Sequence, residues 1–284
     1  MSILAQKQAG ISQVGQRIVI SGVEKMGKTT LACDAPNALL VPLEQGYAAQ
    51  TCERVPMLTY WEHVEQLCAE LIAGAADGSI PRGTTIVWDS ATALERLIHD
   101  VVLRTDPTWA EGNPRNVTMN SAHGGYGKGY HVANAKFSQW LNWNDTLTLY
   151  GINIVITCHV FAADVVDPAH GNYQSWDILL HSPKNQKEYG KRELLTQWAD
   201  AVFFLHEPLF VRQTERGKGD NKEVVLAQGI SKGVGRVLET ERTPAWVAGN
   251  RYKLTGSIPI PMEGPWNYLA QAIHNSIGID LYKR

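Results

Sequence analysis

The sequence predicts an α/β fold, a mainly parallel central sheet flanked by helices, and three observations predict it. Short apolar runs of strand length alternate with stretches of helical periodicity, the pattern of parallel strands joined by crossover helices. The first of those runs leads straight into a glycine-bearing turn and a helix. The 284 residues are 44% hydrophobic and 19% charged, ample for a buried sheet and too apolar for a disordered or fibrous chain.

The elements follow in order. Residues 17–20 (RIVI) read as a strand, and the turn after it opens a short helix at about Lys28. Residues 38–43 (ALLVPL) read as a second strand, in which Pro42 marks a strand end or sheet edge because it has no N–H for the ladder. From 61 to 76, Val64, Leu67, Cys68, Leu71 and Ile72 keep the i, i+3, i+4 spacing of an amphipathic helix. Residues 84–88 (TTIVW) are a buried strand closing on Asp89, followed by a helix over 91–103. Another helix is predicted over 132–149 and further strands over 152–158 and 201–205. A hairpin pairs 209–213 with 223–228 across the polar turn TERGKGDN.

Two stretches, 106–129 and 161–188, are rich in Gly, Asn and Pro with scattered aromatics and read as long loops. Loops of that length inside a compact domain are usually functional. The chain divides into an N-terminal arm (1–16), one core (17–256) and a C-terminal tail (257–284) packed on that core, with a short helix over 266–277. The Met and Trp positions on the helices read as core packing.

Charge and cysteine usage exclude several classes. Lys plus Arg total 26 against 28 for Asp plus Glu, a net charge of -2, which argues against a dedicated polycation for duplex DNA. Cys33, Cys52, Cys68 and Cys158 have no paired metal spacing and read as reduced, mostly buried thiols. The opening MSILAQKQAGISQ lacks a basic region followed by an apolar one, and no run approaches ~18 apolar residues, so neither an export signal nor a membrane span is predicted. There is no H-E-x-x-H zinc pattern, with His123 and His131 flanking a glycine-rich loop instead of sharing a helix, and no G-x-S-x-G.

The informative motif is GVEKMGKT at 22–29, which fits G-x-x-x-x-G-K-S/T at every fixed position and sits between a predicted strand and a predicted helix. Its glycines let backbone N–H groups curl into a nest around phosphates, and the helix N-terminus adds partial positive charge. Gly22, Glu24, Lys25, Met26, Gly27, Lys28, Thr29 and Thr30 are therefore the expected nucleotide-binding residues. Lys28 is placed to reach the β- and γ-phosphates and the Thr29 hydroxyl to ligate Mg²⁺, with ATP as the nucleotide. Asp89, an acid closing an apolar strand, is the expected second metal-holding residue, with Ser90 in the same water network. Glu44 follows a strand at the sheet edge where ligands bind and is the candidate for activating water. His159 ends a later strand and is the candidate sensor of the γ-phosphate.

These segments carry a resemblance. The run GVEKMGKTT resembles the phosphate-binding loop of RecA recombinases, and LLVPLEQGY resembles the segment that carries their catalytic glutamate, with Pro42 where an acidic residue is usual. Taken with TTIVWDS, GYGKGY, IVITCH, WADAVFFL and RVLETERTPAWVAGNRYKL, the layout from 17 to 261 is similar to the small RecA-like ATPases of bacteriophages, the Sak-type single-strand annealing group. The resemblance implies a RecA-like P-loop NTPase core that binds single-stranded DNA under ATP control and promotes annealing or strand pairing. It also implies a homo-oligomer, ring or filament, working in the bacterial host cytoplasm with a single-strand binding protein as a further partner.

In such proteins the loops after the Asp-bearing strand and after the His-bearing strand face the DNA, and here these are the two unassigned stretches. Trp109, Tyr126, Tyr130, Tyr173, Trp176 and Tyr189 are candidates to stack on bases, and Arg115, Lys128, Lys184, Lys187, Lys191 and Arg192 to contact phosphates. Arg236, Arg242 and Arg251 are candidates to reach the nucleotide of a neighbouring subunit. Two other functions fit the same loop: a nucleotide-gated loader or interaction protein, and a small-molecule NTP-dependent kinase whose lid the long aromatic loops would supply.

Overall fold

A computed structural model describes residues 10, 14–112, 117–168, 171–183, 189–216, 223–233 and 235–282. The elements run β1 (Arg17–Ser21), α1 (Lys28–Cys33), β2 (Ala38–Pro42), β3 (Glu53–Arg54), α2 (Trp61–Asp77), β4 (Thr85–Asp89), α3 (Ala91–Arg104), α4 (Pro107–Ala110), α5 (Lys128–Leu149) and β5 (Asn153–Cys158). They continue β6 (Val160–Asp167), β7 (Gly171–Ile178), α6 (Lys191–Trp198), β8 (Ala201–His206), β9 (Leu209–Arg216), β10 (Glu223–Ser231), β11 (Arg236–Glu239), β12 (Gly249–Asn250), β13 (Ser257–Ile260) and α7 (Pro265–Ile277).

The central sheet has the order β13-β11-β8-β1-β5-β4-β2-β3, with β12 pairing β8. From β8 to β3 every pairing is parallel, while β11, β12 and β13 join antiparallel. This is the mainly parallel α/β architecture of a P-loop NTPase core. Strands covered on both faces need apolar side chains at successive positions, which is why β4 and β5 are buried throughout. One face presents Val19, Ile86, Trp88, Ile154 and Ile156 to α2, α3 and α5. The other presents Ile18, Ile20, Val87, Val155, Phe203 and Leu205 to α1 and α7. Trp88 donates its indole N–H to Asn144 Oδ1 at 2.8 Å, so a completely buried amide on α5 is satisfied inside the first layer.

The predicted hairpin forms, with β9 and β10 antiparallel from Leu209–Ser231 to Arg216–Glu223. The predicted loops are corrected in part. Stretch 161–188 contains an antiparallel ribbon, β6 with β7. Its sequence gives no strand signal because its apolar residues (Val160, Phe161, Val165, Val166, Tyr173, Trp176, Ile178) fall in no regular alternation, and only Ser175 and Ile178 are buried. In stretch 106–129, Asp106 caps α4 and also accepts the backbone N–H of His123 at 2.6 Å, folding the segment back, and α5 begins at Lys128. Residues 257–260 of the expected tail pair with β11 as a strand of the central sheet. Among the described residues no helix is long and apolar enough to cross a membrane.

Candidate functional site

Parallel strands deliver their C-terminal ends to one edge, and every residue of the expected nucleotide site lies there. β1 ends at Ser21, and the loop 22–27 turns back into α1. Gly22 has to be glycine because a Cβ there would lie 2.4 Å from the Leu205 carbonyl oxygen of β8. Gly27 adopts φ +89, and its Cβ would lie 2.0 Å from a guanidinium nitrogen of Arg236. Lys28 is buried and donates to the carbonyls of Gly22 and Val23, both at 2.8 Å, so its ammonium lies across the mouth of the loop. Burial holds Lys28 below the ordinary lysine range, against the attraction of Asp89. Glu24 and Lys25 face solvent, and Thr30 accepts a long bond from Gln50 at 3.4 Å.

The neighbour but one of β1 is β4, which ends on Asp89. The Thr29 hydroxyl donates to Asp89 Oδ2 at 3.0 Å, and the Thr157 hydroxyl, from β5 between them, donates to Oδ1. Burial raises Asp89 above the usual carboxylate range, opposed by these two hydroxyl bonds. A hydroxyl and a carboxylate facing each other at the rim of a glycine-built anion cradle form a hard oxygen donor set, and they fit Mg²⁺ bound together with phosphate oxygens. Among the described residues no cluster of three or more His, Cys, Asp or Glu offers a different kind of metal site.

Next to this pair lies a second constellation. Leu43 N–H continues the β2–β4 ladder by donating to the Asp89 carbonyl at 2.8 Å, which sets Glu44 beside Ser90 across the cis Asp89–Ser90 peptide. Glu44 Oε1 accepts from Ser90 Oγ at 2.7 Å and pairs with His159 Nε2 at 2.8 Å. Burial pushes Glu44 upward, but the bonds from His159 and Ser90 outweigh it and leave the carboxyl below its ordinary value. His159 Nδ1 is buried without a partner among the described atoms, and the next residue, Val160, begins β6.

The structure thus brings Lys28, Thr29, Asp89, Glu44 and His159 together. Thr157 was not expected, although a threonine inside the apolar run IVITC was the signal for it. Arg236 contacts its own loop, donating Nη1 to the Met26 carbonyl and Nη2 to the Pro261 carbonyl, both at 2.9 Å. Arg251 bonds Asp200 Oδ1 at 2.9 Å and the Gln197 carbonyl at the opposite, N-terminal end of the strands, and Arg242 is exposed.

The candidates for DNA contact divide. Lys191 is corrected: its side chain is 0% exposed, ion-paired with Glu95 at 3.1 Å, and donates to His99 Nε2 at 3.1 Å, so burial excludes a phosphate contact. Arg192 is paired with Asp177 at 2.7 Å and with Glu193. Tyr130 stacks on His181 with ring centroids 3.8 Å apart. Tyr126, by contrast, is fully exposed at φ 54 and Lys128 is exposed beside it, while Tyr189 and Trp176 are exposed as well. Trp109 and Tyr173 are half-buried. Arg115, Lys184 and Lys187 lie outside the described residues. Trp176 borders a cavity of about 460 Å³ together with Val23, Met26, Phe204, His206 and Trp246.

Comparison with known proteins gives one family. The family described as an AAA domain matches residues 14–252. No curated protein matches the chain.

Proposed function

The chain belongs to that AAA domain family, a P-loop ATPase family, and from this premise we propose that it binds Mg–ATP at residues 22–30, hydrolyses it, and uses the cycle to bind single-stranded DNA and promote annealing or strand pairing. The observation that carries the nucleotide reading is the Thr29–Asp89 contact of 3.0 Å at the rim of the loop that Lys28 spans.

On this reading Lys28 leaves the carbonyls of Gly22 and Val23 for the β- and γ-phosphates, and Thr29 and Asp89 would hold the metal. When bound, Mg²⁺ neutralises charge on the phosphate oxygens. Glu44, kept ionised by its low pKa, orients and deprotonates the attacking water once its Oε1 is released by His159 and Ser90. His159 is one bond from the β6–β7 ribbon, so a strand of DNA on that ribbon acts on Glu44 through His159. An exposed Tyr126 just before α5 and an exposed Lys128 at its start, with Trp176 of the ribbon lining a cavity beside Val23 and Met26 of the loop, support stacking and phosphate contact. On this reading the chain would act as the Sak-type phage annealing group that its motifs resemble.

ATP turnover measured with and without single-stranded DNA, alongside the mass of the assembly, tests the proposal. Stimulation by DNA in an oligomer supports it, and turnover indifferent to DNA removes the recombination role. A second reading, a nucleotide-gated interaction protein, is favoured by the two hydrogen bonds that occupy Glu44. Tight ATP binding with negligible turnover selects it.

A further inference from the structure

On the nucleotide reading the nucleoside end of the ligand needs a site of its own, and the topology limits where it can lie. Asp89 ends β4 and Glu44 follows β2, so the metal and γ-phosphate end lies on the β5–β4–β2 side of the loop strand β1. On that reading the phosphates run from there across the loop toward β8, β11 and β13. At that place, still on the C-terminal edge of β8, lies a cavity of about 390 Å³ walled by Glu207, Arg236, Pro259, Pro261, Met262 and Tyr268. β11 runs antiparallel to β8 and β13 antiparallel to β11, so Arg236 at the start of β11 and Ile260 at the end of β13 meet at the same edge. The volume falls in the ~300–1,000 Å³ range of small-molecule sites.

Three features show what the cavity is built to take. Arg236 ties it to the phosphate loop, with one guanidinium nitrogen on the Met26 carbonyl and the other on the Pro261 carbonyl of the wall. The absence of a Cβ at Gly27 is what lets that guanidinium lie there. Met262 is 77% exposed and Tyr268 47%, two large apolar surfaces left open beside an anion cradle. Pro259 and Pro261 contribute no N–H, so at these positions the wall can only accept hydrogen bonds. A planar, apolar-faced group that carries hydrogen-bond donors on its edge and is covalently joined to phosphates meets all three.

We infer that this cavity holds the nucleobase of the bound nucleoside triphosphate, with Tyr268 and Met262 packing on the ring and Arg236 locking the pocket to the loop. The inference rests on the nucleotide reading of residues 22–30 and adds to it the residues that recognise the nucleoside.

The test is calorimetric titration of the full chain with Mg–imido-ATP and with Mg–tripolyphosphate, for the wild type, Tyr268→Ala and Met262→Ala. Imido-ATP is expected to bind the wild type more tightly than tripolyphosphate. Tyr268→Ala should weaken imido-ATP by about 5- to 100-fold, the range for loss of one aromatic–base stack, and leave tripolyphosphate unchanged. Photolabelling with azido-ATP should mark the segment 257–272, a readout that needs no variant to fold. Equal affinity of the wild type for the two ligands, unchanged imido-ATP affinity in both variants, or label confined to Trp176 and Trp246 overturns the inference while the phosphate loop stands. Failure of the wild type to bind either ligand overturns the nucleotide reading itself and this inference with it.

Discussion

Replacing Asp89 with Asn separates the cost of the site from its use. Asp89 is 8% exposed and accepts two hydroxyl bonds, from Thr29 and Thr157. The amide keeps an acceptor for Thr157 and offers Thr29 a donor in exchange, so neither hydroxyl is orphaned. Bonds to an ionised group are worth ~1.5–3 kcal/mol and neutral ones ~0.5–1.5, so about 2–3 kcal/mol is lost across the two. Against this, a carboxylate held out of water costs several kcal/mol, most of which the neutral amide removes. Lys28 loses an attraction but keeps its two carbonyls at 2.8 Å. The net change without ligand falls between zero and about 2 kcal/mol of added stability, or up to ~4 °C in Tm for a chain of this size.

Because burial raises Asp89 above its ordinary 3.8, the native state holds the proton more tightly than the unfolded chain. The wild type therefore loses stability as pH rises upward from 3.8, and the advantage of Asn narrows on acidification toward that value. Function should move the other way. Outer-sphere metal partners are worth ~10–100-fold, and the gain in nucleotide affinity that Mg²⁺ gives the wild type should shrink by that factor. Differential scanning calorimetry of the free protein and titration of imido-ATP with and without Mg²⁺ read both sides. A Tm lowered by more than ~4 °C, or an undiminished Mg²⁺ effect, refutes the reasoning.

Three further outcomes follow from the same geometry. Glu44→Gln should lower ATP turnover by ~10²–10⁴ with nucleotide affinity held within about 2-fold, and steady-state turnover close to wild type would remove Glu44 from the chemistry. Gly27→Ala drives a Cβ into Arg236 and should weaken Mg–ATP binding by at least about 10-fold while costing ~1–3 kcal/mol of stability, checked by titration and urea unfolding. Burial, helped by Lys191, lowers His99 to about 4, so between about 4 and the ordinary 6.5 the native state binds fewer protons than the unfolded chain. Stability should then rise with pH through that window by up to ~3 kcal/mol and level off above it, and His99→Gln should flatten the slope in urea titrations across pH.

How far the sequence could be read depended on whether a residue's role is local. The parallel strands and the phosphate loop were legible because burial on both faces forces apolar runs, and a nest needs glycine at fixed spacing. The positions of Asp89 and Glu44 at the C-terminal ends of their strands were legible because each closes such a run. The β6–β7 ribbon was hidden, since its half-exposed residues carry no apolar alternation. Lys191 was misread because nothing nearby in the chain announces Glu95 and His99, which come from α3 to surround it. Arg236 joins Met26 and Pro261 from far along the chain, and Thr157 reaches Asp89 from a strand 68 residues away.

The two halves of the site are poised in opposite senses. Lys28 is held below its ordinary range by burial and Asp89 above it, so each gives up charge stability in the free protein, and each would recover it against phosphate and metal. Glu44 lies below its ordinary value with its oxygen already satisfied by Ser90 and His159, and it gains nothing from leaving them. On the proposed reading, binding is therefore favoured by Lys28 and Asp89, while hydrolysis is opposed by the hydrogen bonds of Glu44. On the reading proposed above, something other than ATP must shift His159. Its peptide link to Val160 makes the exposed β6–β7 ribbon the element through which a bound strand would do so. Deleting that ribbon should leave nucleotide affinity intact and abolish any stimulation of turnover by DNA.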